Sequence, residues 1–320
     1  MKKTIALILT LTLALLALAS CSPKQSKITI GYLNGPTGMG MAKLIADTPE
    51  DSEKYVFESY SDKPGNAISD LESGAIDMAC LPTNSAANLF NKGDDISVIA
   101  VNTLGSLFII ADKSTNIETI NDLAGKTIYA SVPGSTTEPI LKHILSENNV
   151  QADIEVDSTT HQDLVKKVKD SGGTAIAILP EPMVSNALLQ ANNYEVKLNI
   201  SEEWSKVSDQ PLAMGCIVVR NDFLKENKAS VDAFLKDYKA SVDFIAAKEN
   251  RATAAQTIVN VGIIPKLPLA SSAMNNLDGS IVLITGQEMT QTLKAFYAVL
   301  LESSSASVGG KQPSDAFYYD

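Results

Sequence analysis

Ala79-Cys80-Leu81-Pro82 and Ala177-Ile178-Leu179-Pro180 stand 98 positions apart and share one pattern. Each is a short apolar run of strand character stopped by a proline, which has no N–H to give a central ladder. The loop Pro36-Thr37 stands the same 98 positions before Gly134-Ser135. In each half a strand feeds a Gly/Pro/Thr/Ser loop that opens a helix. In each half a later strand ends in Leu-Pro and opens another. Two matches at one offset, in one order of elements, predict two lobes of the same topology.

Working outward, strands and helices alternate. In the first half strands are expected at 27–33, 55–60, 76–81 and 96–102, with helices at 39–46, 66–73 and 85–91. In the second, strands at 107–111, 127–131, 154–156, 175–179 and 194–198 alternate with helices at 136–146, 161–170 and 182–190. Such βαβ series predict an α/β fold: two doubly wound, Rossmann-like lobes with mostly parallel sheets. After a strand at 216–219 the chain reads as an almost wholly helical C-terminal tail.

Composition agrees. The chain has 320 residues, room for two domains at roughly 150 residues each, and 45% hydrophobic with 20% charged residues is an ordinary globular balance. Net charge is −11, only Arg220 and Arg251 are arginine, and no basic cluster is longer than Lys166-Lys167. A nucleic-acid partner is excluded on that pattern. Gly-x-Ser-x-Gly and phosphate-loop motifs are absent, and the glycines at 35, 38 and 40 miss the dinucleotide fingerprint. His143 and His161 lack metal-ligand spacing and read as surface or helix-cap residues. No catalytic residue, cofactor or metal is therefore expected.

The start of the chain reads as a targeting segment. Met1-Lys2-Lys3 is basic, 4–19 is apolar apart from threonines, and Leu18-Ala19-Ser20-Cys21 resembles the bacterial lipobox. Residues 1–20 are expected to be a signal peptide, Cys21 the lipidated first residue, and 21–26 a tether. Loss of Lys2 and Lys3 leaves 24 basic against 37 acidic residues, a net −13. Cys80 and Cys216 remain, each in an apolar run. Two cysteines are not a disulfide framework; buried thiols and one cross-strand disulfide both stay open.

A binding surface is legible in the loops. In open α/β sheets ligands sit beyond the carboxyl ends of strands, near helix N-termini that attract anionic or acceptor groups. Thr37 in the first half and Ser135, Thr136 and Thr137 in the second supply hydroxyls there. They also read as N-caps, a role compatible with ligand contact. Thr83-Asn84 and Glu181 follow the two Leu-Pro strands and line opposite walls. Glu181 reads equally as a solvated residue in a first helical turn.

These pieces carry a resemblance. Ile28-Thr29-Ile30-Gly31-Tyr32-Leu33 and Asp70-Leu71-Glu72-Ser73-Gly74-Ala75-Ile76-Asp77, with the lipobox, resemble substrate-binding proteins of bacterial ABC importers. Asp122-Leu123-Ala124-Gly125-Lys126, Pro133-Gly134-Ser135-Thr136-Thr137-Glu138 and Gly310-Lys311-Gln312-Pro313-Ser314-Asp315 are similar to the branch for nitrate, sulfonate, taurine and thiamine-precursor ligands. The resemblance implies a type II periplasmic-binding-protein-like clam shell crossed twice by the chain, near 102–106 and 210–216. Lobe one would be 27–103 plus 217–320, and lobe two 104–216. It implies an interlobe site of Asn34, Pro36, Thr37, Gly38, Met39, Tyr60, Thr83, Asn84, Gly105, Ser106, Gly134, Ser135, Thr136, Thr137, Glu181 and Gln210. It also sets Cys80 and Cys216 as thiols on neighbouring strands of lobe one. ABC permease and ATPase subunits are the implied partners, with a lipid anchor on the extracytoplasmic face. The alternatives are a sensor or adhesin lipoprotein, or a thiamine-precursor enzyme whose cysteine-rich segment this chain lacks. Absence of Lys and Arg from the site segments favours a small neutral or monoanionic polar ligand over a dianion.

Overall fold

A computed structural model describes residues 27–60 and 64–319; the expected signal segment, Cys21 and the tether lie outside the described residues. Eleven strands are described. They are β1 (Ile28–Leu33), β2 (Tyr55–Tyr60), β3 (Met78–Pro82), β4 (Ile96–Leu104), β5 (Leu107–Asp112), β6 (Thr127–Ser131), β7 (Asp153–Ser158), β8 (Ile176–Pro180), β9 (Tyr194–Asn199), β10 (Ala213–Arg220) and β11 (Ile281–Ile284). They form a six-stranded sheet, β11-β4-β10-β3-β1-β2, and a five-stranded sheet, β7-β6-β8-β5-β9.

The two sheets repeat one arrangement. Reading from β2, the series β2-β1-β3-β10-β4 answers β7-β6-β8-β5-β9 strand for strand. The 98-residue offset persists in the pairing: Ile30 faces Met78 and Gly31 faces Ala79, as Ile128 faces Ile176 and Tyr129 faces Ala177. The sheets are mixed rather than mostly parallel. β5 runs antiparallel to both neighbours, as does β10. Each is the strand that enters its sheet from the other one. It starts at the junction and must run away from it, while the other central strands run toward it.

The chain leaves the first sheet after Leu104 and enters the second at Leu107, so Gly105-Ser106 is the first crossing. It returns before Ala213, where β10 pairs Ala213 with Leu104 and Gly215 with Pro82. Residues 213–216, expected in the crossing, thus already belong to the first sheet. Along β10 and β3, Cys216 faces Leu81 and Ile217 faces Cys80. Alternation then sends the two cysteines to opposite faces, and both are buried free thiols.

The helices are α1 (Pro36–Met39), α2 (Ala42–Asp47), α3 (Pro64–Ser73), α4 (Thr83–Lys92), α5 (Thr137–Glu147), α6 (His161–Asp170), α7 (Met183–Gln190) and α8 (Ile200–Ser205). The tail supplies α9 (Asn221–Ala246), α10 (Arg251–Asn260), α11 (Leu267–Asn276) and α12 (Gly286–Ser304). Two features correct the sequence reading. The helix expected over 39–46 is broken at Gly40, where a Cβ would lie 2.3 Å from the Tyr238 hydroxyl. The tail also adds β11 to the first sheet, a short strand whose four residues carry no turn signal of their own.

Three apolar clusters pack among the described residues. One lies between the first sheet and α9 to α11, with Ile30, Cys80, Phe234 and Tyr238 in it. A second lies under α6 and α7, with Leu164, Val184 and Phe108. The third is continuous across both lobes. It runs from Leu81 and Cys216 through Phe296 and Tyr297 of α12 to Ile140 of α5 and Trp204 of α8. Each large apolar side chain buried in these clusters contributes roughly 1.5–3 kcal/mol.

Candidate functional site

The junction between the sheets is where the strand ends of both lobes meet. Pro182, after β8, stands with its Cδ 3.7 Å from where a Cβ on Gly35, after β1, would lie. Gly35 has φ +117°, a conformation that favours glycine.

The first wall is built on Asn34 to Met39. Gly38 and Met39 N–H both donate to Gly35 O, and Pro36 has no N–H to offer. The helix start expected at Thr37 is therefore a single four-residue turn with little dipole of its own. Asn102 on β4 holds this turn: its Nδ2 donates to Thr37 O at 2.9 Å, and its Oδ1 accepts from Thr103 Oγ1. Gly215 leaves room for it. A Cβ there would lie 2.6 Å from Thr37 Cγ2 and 2.7 Å from Asn102 Oδ1.

Thr83 is a buried strut, its Oγ1 donating to Ala213 O while its own carbonyl accepts from Tyr297 OH. Asn84 follows it, half-buried, in α4. Tyr60 is spent inside the first lobe. Its ring covers Gly31 and its hydroxyl donates to Asp70 Oδ2 at 2.5 Å. Burial, then the Asp70 contact, pushes that phenol well above its ordinary range.

The second wall is built on Ser131 to Thr137. Val132, at φ +60°, donates its N–H to Ser158 O, and Ser135 N–H donates to Val132 O. The turn delivers the chain to α5, whose N-cap is Thr136. Thr136 makes no side-chain cap bond, and both Thr136 and Thr137 are buried. Glu138 occupies the first turn and pairs with Lys142 at 2.6 Å. Behind the turn, Ser131 Oγ and His161 Nδ1 are 2.8 Å apart. The helix-cap reading of His161 missed this contact, because nothing in the sequence ties position 161 to 131.

The floor is the first crossing. Gly105 O accepts from Ser280 Oγ at 2.8 Å, and Ser106 O accepts from Glu181 N–H at 2.9 Å. Gln210 is turned toward the back: its carbonyl accepts from Trp204 Nε1 and its Oε1 from Thr292 Oγ1.

Glu181 is the only carboxylate in these segments, and it is 2% exposed. It precedes α7 rather than sitting solvated within it. Its Oε1 accepts from Ser185 Oγ at 3.0 Å and from Asn276 Nδ2 at 2.5 Å, and its Oε2 accepts from Ser185 N–H. Burial raises its pKa, and these donors hold the rise back. Asn276 belongs to α11 of the tail, so this bond crosses between lobes, and no local pattern around either residue signals it.

Structure thus brings Gly35 against Pro182, Thr37 against Gly215, Thr83 against Ala213 and Ser106 against Glu181, while Gly134, Ser135, Thr136 and Thr137 follow β6 at the equivalent end of the second sheet. The Tyr60 hydroxyl is engaged by Asp70, and the Gln210 carbonyl and Oε1 by Trp204 and Thr292. Among the described residues no group of three or more His, Cys, Asp or Glu side chains is arranged to hold a metal ion. None of the described helices is long and apolar enough to cross a membrane.

Two lobes of one topology, joined by two crossings with loops at the junction, define a protein of the type II periplasmic-binding-protein-like fold. Residues 59–252, about three-fifths of the chain, match the family described as NMT1/THI5 like, and the chain belongs to that family. In structure it is similar to an ABC transporter protein from Parabacteroides distasonis (TM-score 0.77, 20% identity, 92% of this chain and 99% of that one). It is also similar to the periplasmic aliphatic sulphonate binding protein SsuA from Escherichia coli (TM-score 0.73, 16% identity, 92% of each chain). A third likeness is to the periplasmic nitrate-binding protein NrtA from Synechocystis PCC 6803 (TM-score 0.61, 13% identity, 89% of this chain and 85% of that one). Comparison with curated protein sequences finds no match.

Proposed function

We propose that this chain is the extracytoplasmic ligand-binding component of an ABC importer, a binding protein rather than an enzyme. It captures a small polar molecule between its lobes and delivers it to permease and ATPase subunits. Cys21 anchors it by lipid. What supports this reading is the two-lobed fold, with no lysine or arginine in the segments expected to line the site. The solved structures of like fold include sulphonate- and nitrate-binding proteins.

The ligand is small and neutral or monoanionic. A dianion would need cationic partners to offset its desolvation. At the start of α5 the free N–H groups attract an acceptor, but Glu138 in the first turn already supplies one negative charge. The acceptor end of the ligand therefore lies against Ser135 and Thr136, with Thr37 and Asn84 across from it.

A thermal-shift screen of sulfonates, amino-sulfonates, nitrate, pyrimidines and vitamins tests this. At 100 times its dissociation constant a true ligand adds roughly 2.7 kcal/mol of stability. Stabilisation by multivalent anions alone would overturn the ligand class. Cys21→Ala should release the protein from the membrane fraction; a variant that stays bound overturns the anchor.

A further inference from the structure

The two lobes touch on two flanks of the junction, and the flanks differ in chemistry. On one, α12 of the first lobe packs on α5 and α8 of the second. Trp204, 1% exposed, stands there with Phe296 edge-on at 5.9 Å and His143 at 5.3 Å. This contact is part of the apolar cluster that runs through both lobes. On the other flank, α7 of the second lobe meets α11 of the first through polar groups. Ser185 Oγ is 2.8 Å from Ser272 Oγ, and Asn276 donates to Glu181. The pairs run oppositely along the two helices, so α7 and α11 lie antiparallel.

Water treats these flanks differently. Separating the first would expose Trp204 and Phe296 and forfeit their burial. Separating the second exposes a carboxylate, an amide and two hydroxyls, all of which water solvates well. We propose that the clam shell opens asymmetrically: the Trp204–Phe296 flank is the fixed pivot, and the Glu181–Asn276 contact is a polar latch that holds the opposite flank shut. Glu181 then acts on ligand binding by setting the fraction of closed molecules rather than by touching the ligand. The inference rests on the proposed binding function, because a latch matters only if the junction must open.

The latch explains the residue choice on α11. Between Leu267 and Asn276 that helix carries no charged side chain. A lysine at position 276 would form a permanent ion pair; asparagine gives one neutral donor that water can replace.

Spin-label distances test this without a ligand. In a Cys21→Ser background, labels at Gln190 and Asn275 span the latch flank, and labels at Lys142 and Glu302 span the pivot; all four positions are exposed. Asn276→Ala leaves the buried carboxylate one donor short. It should raise the long-distance fraction of the 190–275 pair about tenfold, the factor set by losing a hydrogen bond to a charged group. The 142–302 pair should keep one distance. Adding Glu181→Gln should reverse much of the change, since a neutral amide tolerates burial without that donor. An unchanged 190–275 distribution, joint lengthening of both pairs, or no rescue by Glu181→Gln would each overturn the latch. Failure of the ligand screen would overturn the function reading and leave these distances untouched.

Discussion

Ser131 Oγ and His161 Nδ1, 2.8 Å apart, tie the root of the second-wall turn to the first residue of α6. Ser131 ends β6, and the next residue is already in the left-handed region. Its side chain is therefore the last anchor before the turn that presents Ser135 and Thr136. The two residues should behave as a coupled pair in a double-mutant cycle. Ser131→Ala and His161→Ala are each expected to lower stability by about 0.5–1.5 kcal/mol, with the double variant losing clearly less than the sum. Additive losses in urea unfolding would show that the contact carries no energy.

Gly215 is expected to be irreplaceable because of Thr37. A Cβ at 215 would press on Thr37 Cγ2 at 2.6 Å and Asn102 Oδ1 at 2.7 Å, moving the first-wall turn. Gly215→Ala should lose about 1–3 kcal/mol, the range for overpacking. Thr37→Ser deletes the pressed methyl and should recover part of that loss in the same chain. Equal stability of Gly215→Ala and Gly215→Ala/Thr37→Ser would place the strain elsewhere.

Much of this was legible in the sequence. The repeat of Leu-Pro strands announced the paired sheets, because a strand stopped by proline at one spacing is a local signal. The hydroxyl turns at Thr37 and Ser135-Thr136 were visible for the same reason. What escaped depends on distant partners. Asn102 sits after Val101 in an apolar strand, a polar residue whose purpose appears only when Thr37 folds over it. Asn276 lies 95 positions from Glu181, in a helix of small residues without a charge pattern. Tyr60 enters the site only through the resemblance, and the contacts that occupy it, the bare face of Gly31 and the carboxylate of Asp70, come from elsewhere in the chain.

Cys80 and Cys216 should remain thiols and resist alkylation in the native state. They point to opposite faces of the first sheet, so no disulfide geometry is open to them. Burial pushes the Cys80 thiol up to about 12, and Cys216 is raised by the same cause. The thiolate is the reactive form, so native reaction should be negligible at neutral pH. Mass measurement should show no addition on the folded core and two additions after unfolding without reductant. No additions after unfolding would mean a disulfide.

The pH dependence of Glu181 has a definite sign. Its pKa is raised in the folded protein, chiefly by burial. A carboxyl with a raised folded pKa contributes stability that is full below its unfolded value and is lost as pH rises through the folded one. The groups bonded to it are neutral: Ser185 on α7 and Asn276 on α11, with Ser272 of α11 bonded in turn to Ser185. Aspartates such as Asp163, held low by Thr160 and Thr159, act in the opposite direction and weaken the protein as pH falls. The wild-type profile alone mixes these contributions, whereas its difference from Glu181→Gln isolates one. From the ordinary carboxyl range upward the difference should move in favour of the variant as pH rises, levelling once pH has passed the folded pKa. Its slope should not exceed about 1.4 kcal/mol per pH unit, the limit for one proton. Urea unfolding of both proteins across that range measures it. A flat difference would show that Glu181 titrates alike in the folded and unfolded chains, and a slope of opposite sign would show that a cation faces it in the folded protein.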